Sequence, residues 1–255
     1  MQQNISLTKT SILIIRSVLF EIIRVILTIF FSILALCIFF LPHKYRYRVI
    51  RMWAVILIEV CKNLCGISYR VIGRNNIPKS PTIILSNHQS AWETLAFQSI
   101  FPDQVWVLKR ELLFIPFFGW GLAMTNPIAI DRGSGVNALH QTVRQGVDRL
   151  RKGFCIVMFP EGTRIKPGQT KKHHIGGAFL SIKTGVAITP VAHNAGTLWG
   201  KNAIIKKPGE IIVSVGPQIQ PHGLKPTELK QKVERWINKE TNNLRMIKTK
   251  SHENK

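Results

Sequence analysis

Acidic side chains are scarce in this chain: 13 Asp+Glu stand against 35 Lys+Arg among 255 residues, a formal charge of +22. So large a surplus excludes a surface that balances its own charge and calls for an anionic partner: nucleic acid, an anionic membrane surface or a phosphorylated small molecule. Cysteine is sparse as well. Cys37, Cys61, Cys65 and Cys155 form no C-x-x-C pair and have no metal-type Cys/His cluster beside them, so no metal site is expected and the four read as small buried hydrophobes of a reducing compartment. Internal repeats, low-complexity segments and RNA- or DNA-binding motifs are all missing. With 45% hydrophobic residues and a mean hydropathy of +0.10, high for so basic a chain, the composition favours membrane association, and no nucleic-acid partner is expected.

What is present starts with an apolar run over residues 11–41, interrupted by Arg16, Glu21 and Arg24. From Ile22 to Leu41 it offers twenty residues, about 30 Å of helix, which matches the hydrocarbon core of a bilayer, with Arg24 placed to snorkel at one end. No small-residue cleavage site follows, so the segment reads as retained rather than as a signal peptide. Lys44, Arg46, Arg48 and Arg51 follow it and only Lys9 and Arg16 precede it, which by the positive-inside rule puts the remainder on the cytoplasmic face of the cell (inner) membrane. Residues 49–65 form a second apolar stretch broken by Arg51, Glu59 and Lys62. It reads as an amphipathic helix lying on the membrane or packed back on the first, with a core helix of the soluble domain as the alternative.

From Gly66 the pattern becomes α/β. Strand-like runs occur at Ser68–Ile72, Thr82–Leu85, Val105–Leu108, Pro127–Ile130, Phe154–Phe159, Val186–Ala192 and Ile211–Val215. Between them, 135–152 repeats Val136, Leu139, Val143, Val147 and Leu150 at helical spacing, and 226–247 reads as a basic amphipathic helix opened by Pro226 and followed by a charged tail. The expected architecture is a mixed α/β sheet flanked by helices, preceded by an N-terminal membrane-associated helical segment. It divides into a membrane-anchoring segment at 1–65, an α/β domain at 66–225, and a basic C-terminal helix and tail at 226–255.

Chemistry concentrates where strands end. Ser86-Asn87-His88-Gln89-Ser90-Ala91-Trp92-Glu93 leaves an apolar strand through a polar turn into a helix. On a continuous helix, residues five apart point roughly 140° from each other, so only this turn lets His88 and Glu93 meet. Such a pair supports general base catalysis, with neutral His88 taking a proton from a hydroxyl while Glu93 fixes its tautomer. Ser90 and Glu93 also form an S-x-x-E pattern, and on this stretch alone a capping box with Ser90 as N-cap competes on even terms. Phe159-Pro160-Glu161-Gly162-Thr163-Arg164 ends a second strand with a carboxylate, open backbone and a guanidinium, and Ile130-Asp131-Arg132-Gly133 ends a third with an Arg whose planar fork suits phosphate oxygens. Lys171-Lys172-His173-His174 lacks spaced carboxylates and reads as a basic loop facing phosphate or membrane rather than a metal tract, and Trp120 and Trp199 read as core or interface aromatics.

Asn87-His88-x4-Glu93, Ile130-Asp131-Arg132, Phe159-Pro160-Glu161-Gly162-Thr163-Arg164 and Ile188-Thr189-Pro190-Val191, in this order, resemble the four motif blocks of the glycerolipid acyltransferases. Within them the chain is most similar to the 1-acylglycerol-3-phosphate (lysophosphatidic acid) acyltransferases. Lys109-Arg110-Glu111-Leu112 and the following Ile115–Gly121 resemble that subfamily's lysine-rich block, and the likeness covers roughly residues 66–216. The chain departs from the pattern at Glu93, where the family usually has Asp.

The resemblance implies transfer of an acyl group from acyl-CoA or acyl-carrier protein, as co-substrate, to the 2-hydroxyl of lysophosphatidic acid, giving phosphatidic acid. It implies His88 as the base and Glu93 as its partner. Arg132, Glu161, Gly162 and Arg164 would hold the glycerol phosphate, Lys109 would be a further phosphate contact, and Thr189 and Pro190 would shape the acyl-donor side. No cofactor, metal or covalent acyl-enzyme is implied, and the partners would be membrane lipids and the two substrates, acyl-carrier protein among the donors. Two alternatives stay open: a sibling acyltransferase for glycerol 3-phosphate or another lysolipid, and a non-catalytic basic protein that binds membranes or nucleic acid.

Overall fold

The structure, a computed structural model, describes residues 2–253, with side chains from 10 to 246 apart from those of Lys44 and Arg132. The side chains of Lys9, Lys44 and Arg132 and the last two residues of the charged tail, each invoked above, lie outside the described residues. Two helices come first, α1 (Gln2–Cys37) and α2 (His43–Cys65). Gly66 stops α2 by taking a left-handed φ of 68°, which a side chain would resist, and its N–H reaches the Lys62 carbonyl at 3.0 Å. The chain then alternates: β1 (Ile67–Ile72), β2 (Ile83–Ser86), α3 (Trp92–Ile100), β3 (Gln104–Lys109), α4 (Phe118–Ala123), β4 (Ile128–Ile130), α5 (Val136–Arg151), β5 (Cys155–Met158), α6 (Gly176–Thr184), β6 (Ile188–His193), β7 (Gly209–Val215) and α7 (Pro226–Glu253).

All the strands join one seven-stranded sheet in the order β1-β7-β6-β2-β5-β3-β4. The five from β6 to β4 are parallel; β7 runs antiparallel to β6, and β1 follows β7. Every residue of β2 and β5 is buried, as expected of central parallel strands covered on both faces, which is why they read as unbroken apolar runs. One face packs Leu57, Cys61, Trp92 and Phe97 of α2 and α3 against the sheet; the other packs Leu150, Leu180, Leu229 and Val233 of α5, α6 and α7. The two end segments are therefore built onto the sheet's layers: α2 and α7 both contribute core residues.

Thr10–Cys37 is the one helix among the described residues long and apolar enough to cross a membrane. It does not project from the domain but lies along α2 and α4. Its exposed face is apolar, and the inward face mixes apolar and small polar side chains. Ser17, Phe20, Phe31, Ser32 and Ala35 are buried against the protein, whereas Ile15, Leu19, Ile22, Ile26, Phe30 and Ile33 face outward. Arg24 does not reach along the helix to a membrane surface as expected: its guanidinium bonds Glu21 one turn away, with Nε 2.7 Å from Oε2. Nor are all the flanking cations free for lipid, since Arg51 pairs with Asp103 at 3.6 Å.

Two smaller expectations shift. The helix after His88 opens at Trp92 with Ala91 in the cap position, one residue later than the S-x-x-E pattern suggested, although Ser90 Oγ still accepts the Trp92 N–H at 3.1 Å. The C-terminal helix continues six residues past 247, to Glu253.

Candidate active site

The carboxyl ends of β6, β2, β5, β3 and β4 lie along one edge of the sheet, so the polar clusters that follow these strands meet there. His88 sits in the turn after β2, largely buried, with Nδ1 2.8 Å from Glu93 Oε1. The same oxygen accepts the backbone N–H groups of Gln89 and Ser90, each at 2.8 Å. One oxygen of Glu93 thus both closes the turn and holds the imidazole, while the cap position falls to Ala91 rather than to the expected Ser90. The additional methylene relative to Asp is accommodated, since all three donors reach the carboxylate at ordinary distance.

An ionised carboxylate only accepts, so the proton on His88 must sit on Nδ1 and the Nε2 lone pair is left free. Phe159, the last residue before the β5 turn, lies flat on the ring with centroids 3.9 Å apart and planes 7° from parallel, which fixes the direction in which Nε2 points. The His88 peptide is held from both sides by the same loop, its N–H donating to Glu161 Oε2 at 2.8 Å and its carbonyl accepting from Ile165 N at 2.7 Å.

Behind Glu93 lies a fully buried second imidazole that the sequence did not single out. His193 Nε2 is 2.9 Å from the Asn87 carbonyl, and Nδ1 accepts the Ala195 N–H, so the ring is neutral with its proton on Nε2; burial likewise lowers its pKa. Asn87 completes the tie. Its side-chain oxygen accepts from His193 N at 3.0 Å and its amide donates to His193 O at 2.9 Å, locking the ends of β2 and β6 together. Burial alone would raise the Glu93 carboxyl, but the His193 and His88 rings and the Ser90 amide outweigh it and hold the group below the ordinary carboxylate range.

In front of His88 opens a pocket of about 510 Å³, a size typical of small-molecule sites. Its lining is mixed: His88, Thr163, Arg164 and Lys201 bring polar and cationic groups, and Phe31 of α1, Trp53 of α2 and Leu122 of α4 bring apolar ones. Arg164 is half-buried there and Gly162, at φ 71°, makes the turn that brings it in. Lys109 also lines the pocket, paired with Glu111 at 3.0 Å.

Other expected site residues lie elsewhere. Glu161 does not line this pocket: its carboxylate turns inward to the His88 amide and lines a small polar recess toward α7. There burial, opposed by the His88 N–H and aided by the Glu93 charge, pushes its pKa up to about 7. Thr189 and Pro190 are also absent from the pocket. They are buried within β6, in register with Ile84 and Leu85, and the strand reaches the site only through His193. Arg132 begins the 3-10 turn Arg132–Ser134 after β4, at the sheet's edge. That strand stands three places from β2, about 14 Å at the usual spacing. Its guanidinium lies outside the described residues. His173 is buried with its backbone N–H bonded to Glu234, so it faces the protein and not phosphate or membrane as expected, and among the described residues no group of three or more His, Cys, Asp or Glu is placed to hold a metal.

A family model described as "Acyltransferase" matches residues 68–194. A 1-acyl-sn-glycerol-3-phosphate acyltransferase of Pseudomonas aeruginosa is 45% identical over 201 residues, 77% of this chain and 78% of the relative. One of Borreliella burgdorferi with the same description is 35% identical over 177 residues, covering 68% and 70%. The crystal structure of the LPA acyltransferase PlsC from Thermotoga maritima superposes with a TM-score of 0.75 over 91% of this chain and 95% of that one, at 23% identity, which speaks for the fold. A shared sequence over more than two thirds of two such enzymes, with the His88–Glu93 pair inside the matched region, shows that this chain belongs to the 1-acyl-sn-glycerol-3-phosphate acyltransferase family.

Proposed function

We propose that the chain transfers a fatty acyl group from a thioester donor, acyl-CoA or acyl-carrier protein, to the 2-hydroxyl of lysophosphatidate, giving phosphatidate. One observation carries the reading: an imidazole whose Nδ1 lies 2.8 Å from a buried carboxylate lines, together with the Arg164 guanidinium, one largely apolar pocket. That shape suits an amphiphile with an anionic head.

In the reaction, His88 Nε2 removes the hydroxyl proton as the oxygen attacks the thioester carbonyl. A C–O bond forms and, as the tetrahedral intermediate collapses, the C–S bond breaks; the imidazolium returns the proton to the departing thiolate. Glu93 stabilises the imidazolium while it exists. Arg164, with no ion-pair partner among the described residues, meets the acceptor's phosphate; Arg132, in the turn after β4, is a second ligand for it by the family motif, and Lys109 stands at the pocket wall. Glu161 and Gly162 shape the loop that carries Arg164. This chemistry uses the acyl donor as its only co-substrate.

The outward apolar face of α1 supplies the membrane contact. Because Ser17, Glu21 and Ser32 face the protein, α1 enters one leaflet alongside the domain, on the cytoplasmic side given the basic residues after it. The test is acyl transfer by detergent-solubilised protein from labelled acyl-CoA to lysophosphatidate and, separately, to glycerol 3-phosphate, with wild type and His88→Ala. Lysophosphatidate should be preferred, and His88→Ala should lose about 10²–10⁴-fold in kcat. Preference for glycerol 3-phosphate would transfer the assignment to the sibling reaction, and a His88→Ala variant within a few-fold of wild type would remove the base.

A further inference from the structure

Lys206 is an unusual residue: a lysine with a fully buried side chain, remote from the reacting atoms. Its Nζ is 2.5 Å from Glu21 Oε1 of α1 and 3.0 Å from the Ile204 carbonyl, and it sits over the rings of Phe20 and Trp199 at 5.3 and 5.0 Å. The Lys206 N–H donates to Ser17 Oγ at 2.9 Å, and Arg24 occupies the other oxygen of Glu21. Five side chains thus bind one face of the apolar helix to the loop after β6.

Packing alone does not explain the charges. Lys206 is fully buried but 31% of the Glu21 side chain is exposed, and such a pair adds little stability over well-packed apolar groups while tying two elements together at one geometry. An apolar helix on an apolar surface can rotate or slip, and a slip of one residue turns it by about 100°. The Glu21–Lys206 pair permits one rotation. In that rotation the face of Glu21 continues, two to three turns on, to Thr28, Phe31 and Ser32, and these three line the pocket in front of His88. The loop carrying Lys206 lines the same pocket with Lys201 and Asn202. There is little slack beyond: a Cβ placed on Gly121 of α4 would stand 2.8 Å from Ser32 Oγ, so movement of α1 changes the pocket wall directly.

We propose that Lys206 and Glu21 are positioning residues that fix α1 as a wall of the acyl chamber and so set which acyl chains the enzyme uses. This rests on the reading of the pocket as the acyl chamber. The membrane-contacting helix is then part of the substrate site, and the pair gives α1 its register.

The experiment measures kcat/KM for a series of acyl-CoA donors, from short to long chains, together with thermal stability, for wild type, Lys206→Met, Glu21→Gln and the exchanged pair Glu21→Lys/Lys206→Glu. Lys206→Met keeps an unbranched side chain one atom shorter and leaves Glu21 paired with Arg24. It should fold, and its long-chain to short-chain ratio should change by about tenfold or more, the scale on which apolar pockets discriminate methylenes. Glu21→Gln should move the ratio in the same direction, and serves alone if Lys206→Met does not fold. The exchanged pair should restore it in part. An unchanged ratio in a folded variant, or an equal loss for every donor accompanied by lower stability, would overturn the proposal. Phe31→Trp separates the two levels of argument. If it alters the ratio while the Lys206 and Glu21 variants do not, only the role of the pair fails; if it has no effect, the pocket is not the acyl chamber.

Discussion

Replacing Glu93 by Gln exchanges an oxygen for an amide group at the atom cluster where three N–H donors converge. The turn should survive, since the Gln oxygen still accepts from Gln89 and Ser90. Each weakened bond costs about 1 kcal/mol, and burying a neutral amide in place of a carboxylate returns some desolvation energy. Catalysis should not survive comparably. When His88 takes the substrate proton, its positive charge lies about 4 Å from the carboxylate, which at an effective dielectric of about 20 is worth about 4 kcal/mol, or about a thousandfold in kcat. Glu93→Asp keeps the charge but withdraws it by one bond, about 1.5 Å, so its loss should be smaller than that of Gln. The assay is kcat at saturating donor and acceptor for both variants, with melting temperatures measured alongside. If Gln and Asp reduce kcat alike, and both mainly lower the melting temperature, the carboxylate only caps the turn and its catalytic role is refuted.

Glu161→Gln should leave the acceptor KM nearly unchanged, because the carboxylate faces the His88 amide rather than the pocket. Wild-type Glu161 rises from 4.5 to about 7 on folding, so the native state binds its proton more tightly and this group's contribution to stability is lost as pH climbs through that window. The Gln variant should not lose it, and a melting-temperature difference between variant and wild type that stays constant from pH 5 to 8 would contradict the assignment. Arg132→Lys should raise KM for the phosphorylated acceptor by about tenfold through loss of the bidentate fork, and the donor KM should move less; equal changes in both would exclude Arg132 as the phosphate ligand. Full-length protein should stay in the membrane pellet through a wash in about 1 M NaCl, where charges are screened beyond about 3 Å, and leave it in detergent. Release by salt alone would mean that the exposed face of α1 is not in lipid.

The central strands could be read from the sequence because β2 and β5, buried on both faces, are apolar without interruption and the polar residues after them mark where they end; β1 was readable by its apolar-polar alternation instead. The His88–Glu93 pair was readable for a related reason: the turn between strand and helix is the geometry that lets residues five apart meet. The charges of α1 misled because sequence reading assigns charge to the open surface, whereas here Glu21 turns to Lys206 of the domain and Arg24 turns to Glu21. Arg24 and Glu21 belong to the docked side. The direction of Glu161 was not readable either. A carboxylate beside an Arg at a strand end suits substrate or backbone equally, and only the neighbouring His88 amide decides between them. Asn87 and His193 stand 106 residues apart, and no local pattern links an Asn in one turn to a His at the end of a distant strand.

The order in which the sheet is threaded has a consequence for how the protein is made. The strand leading to His88 lies between β5 and β6, and the contacts closing the site join His88 to Glu161, 73 residues later, and Asn87 to His193, 106 residues later. Until β6 has been synthesised, β2 has an open edge, and the apolar Ile83-Ile84-Leu85 run is available to any strand it encounters. Chains interrupted before that point should therefore have no partial activity and should be prone to aggregate; catalytic competence arrives late and in a single step, when the most distant contacts close.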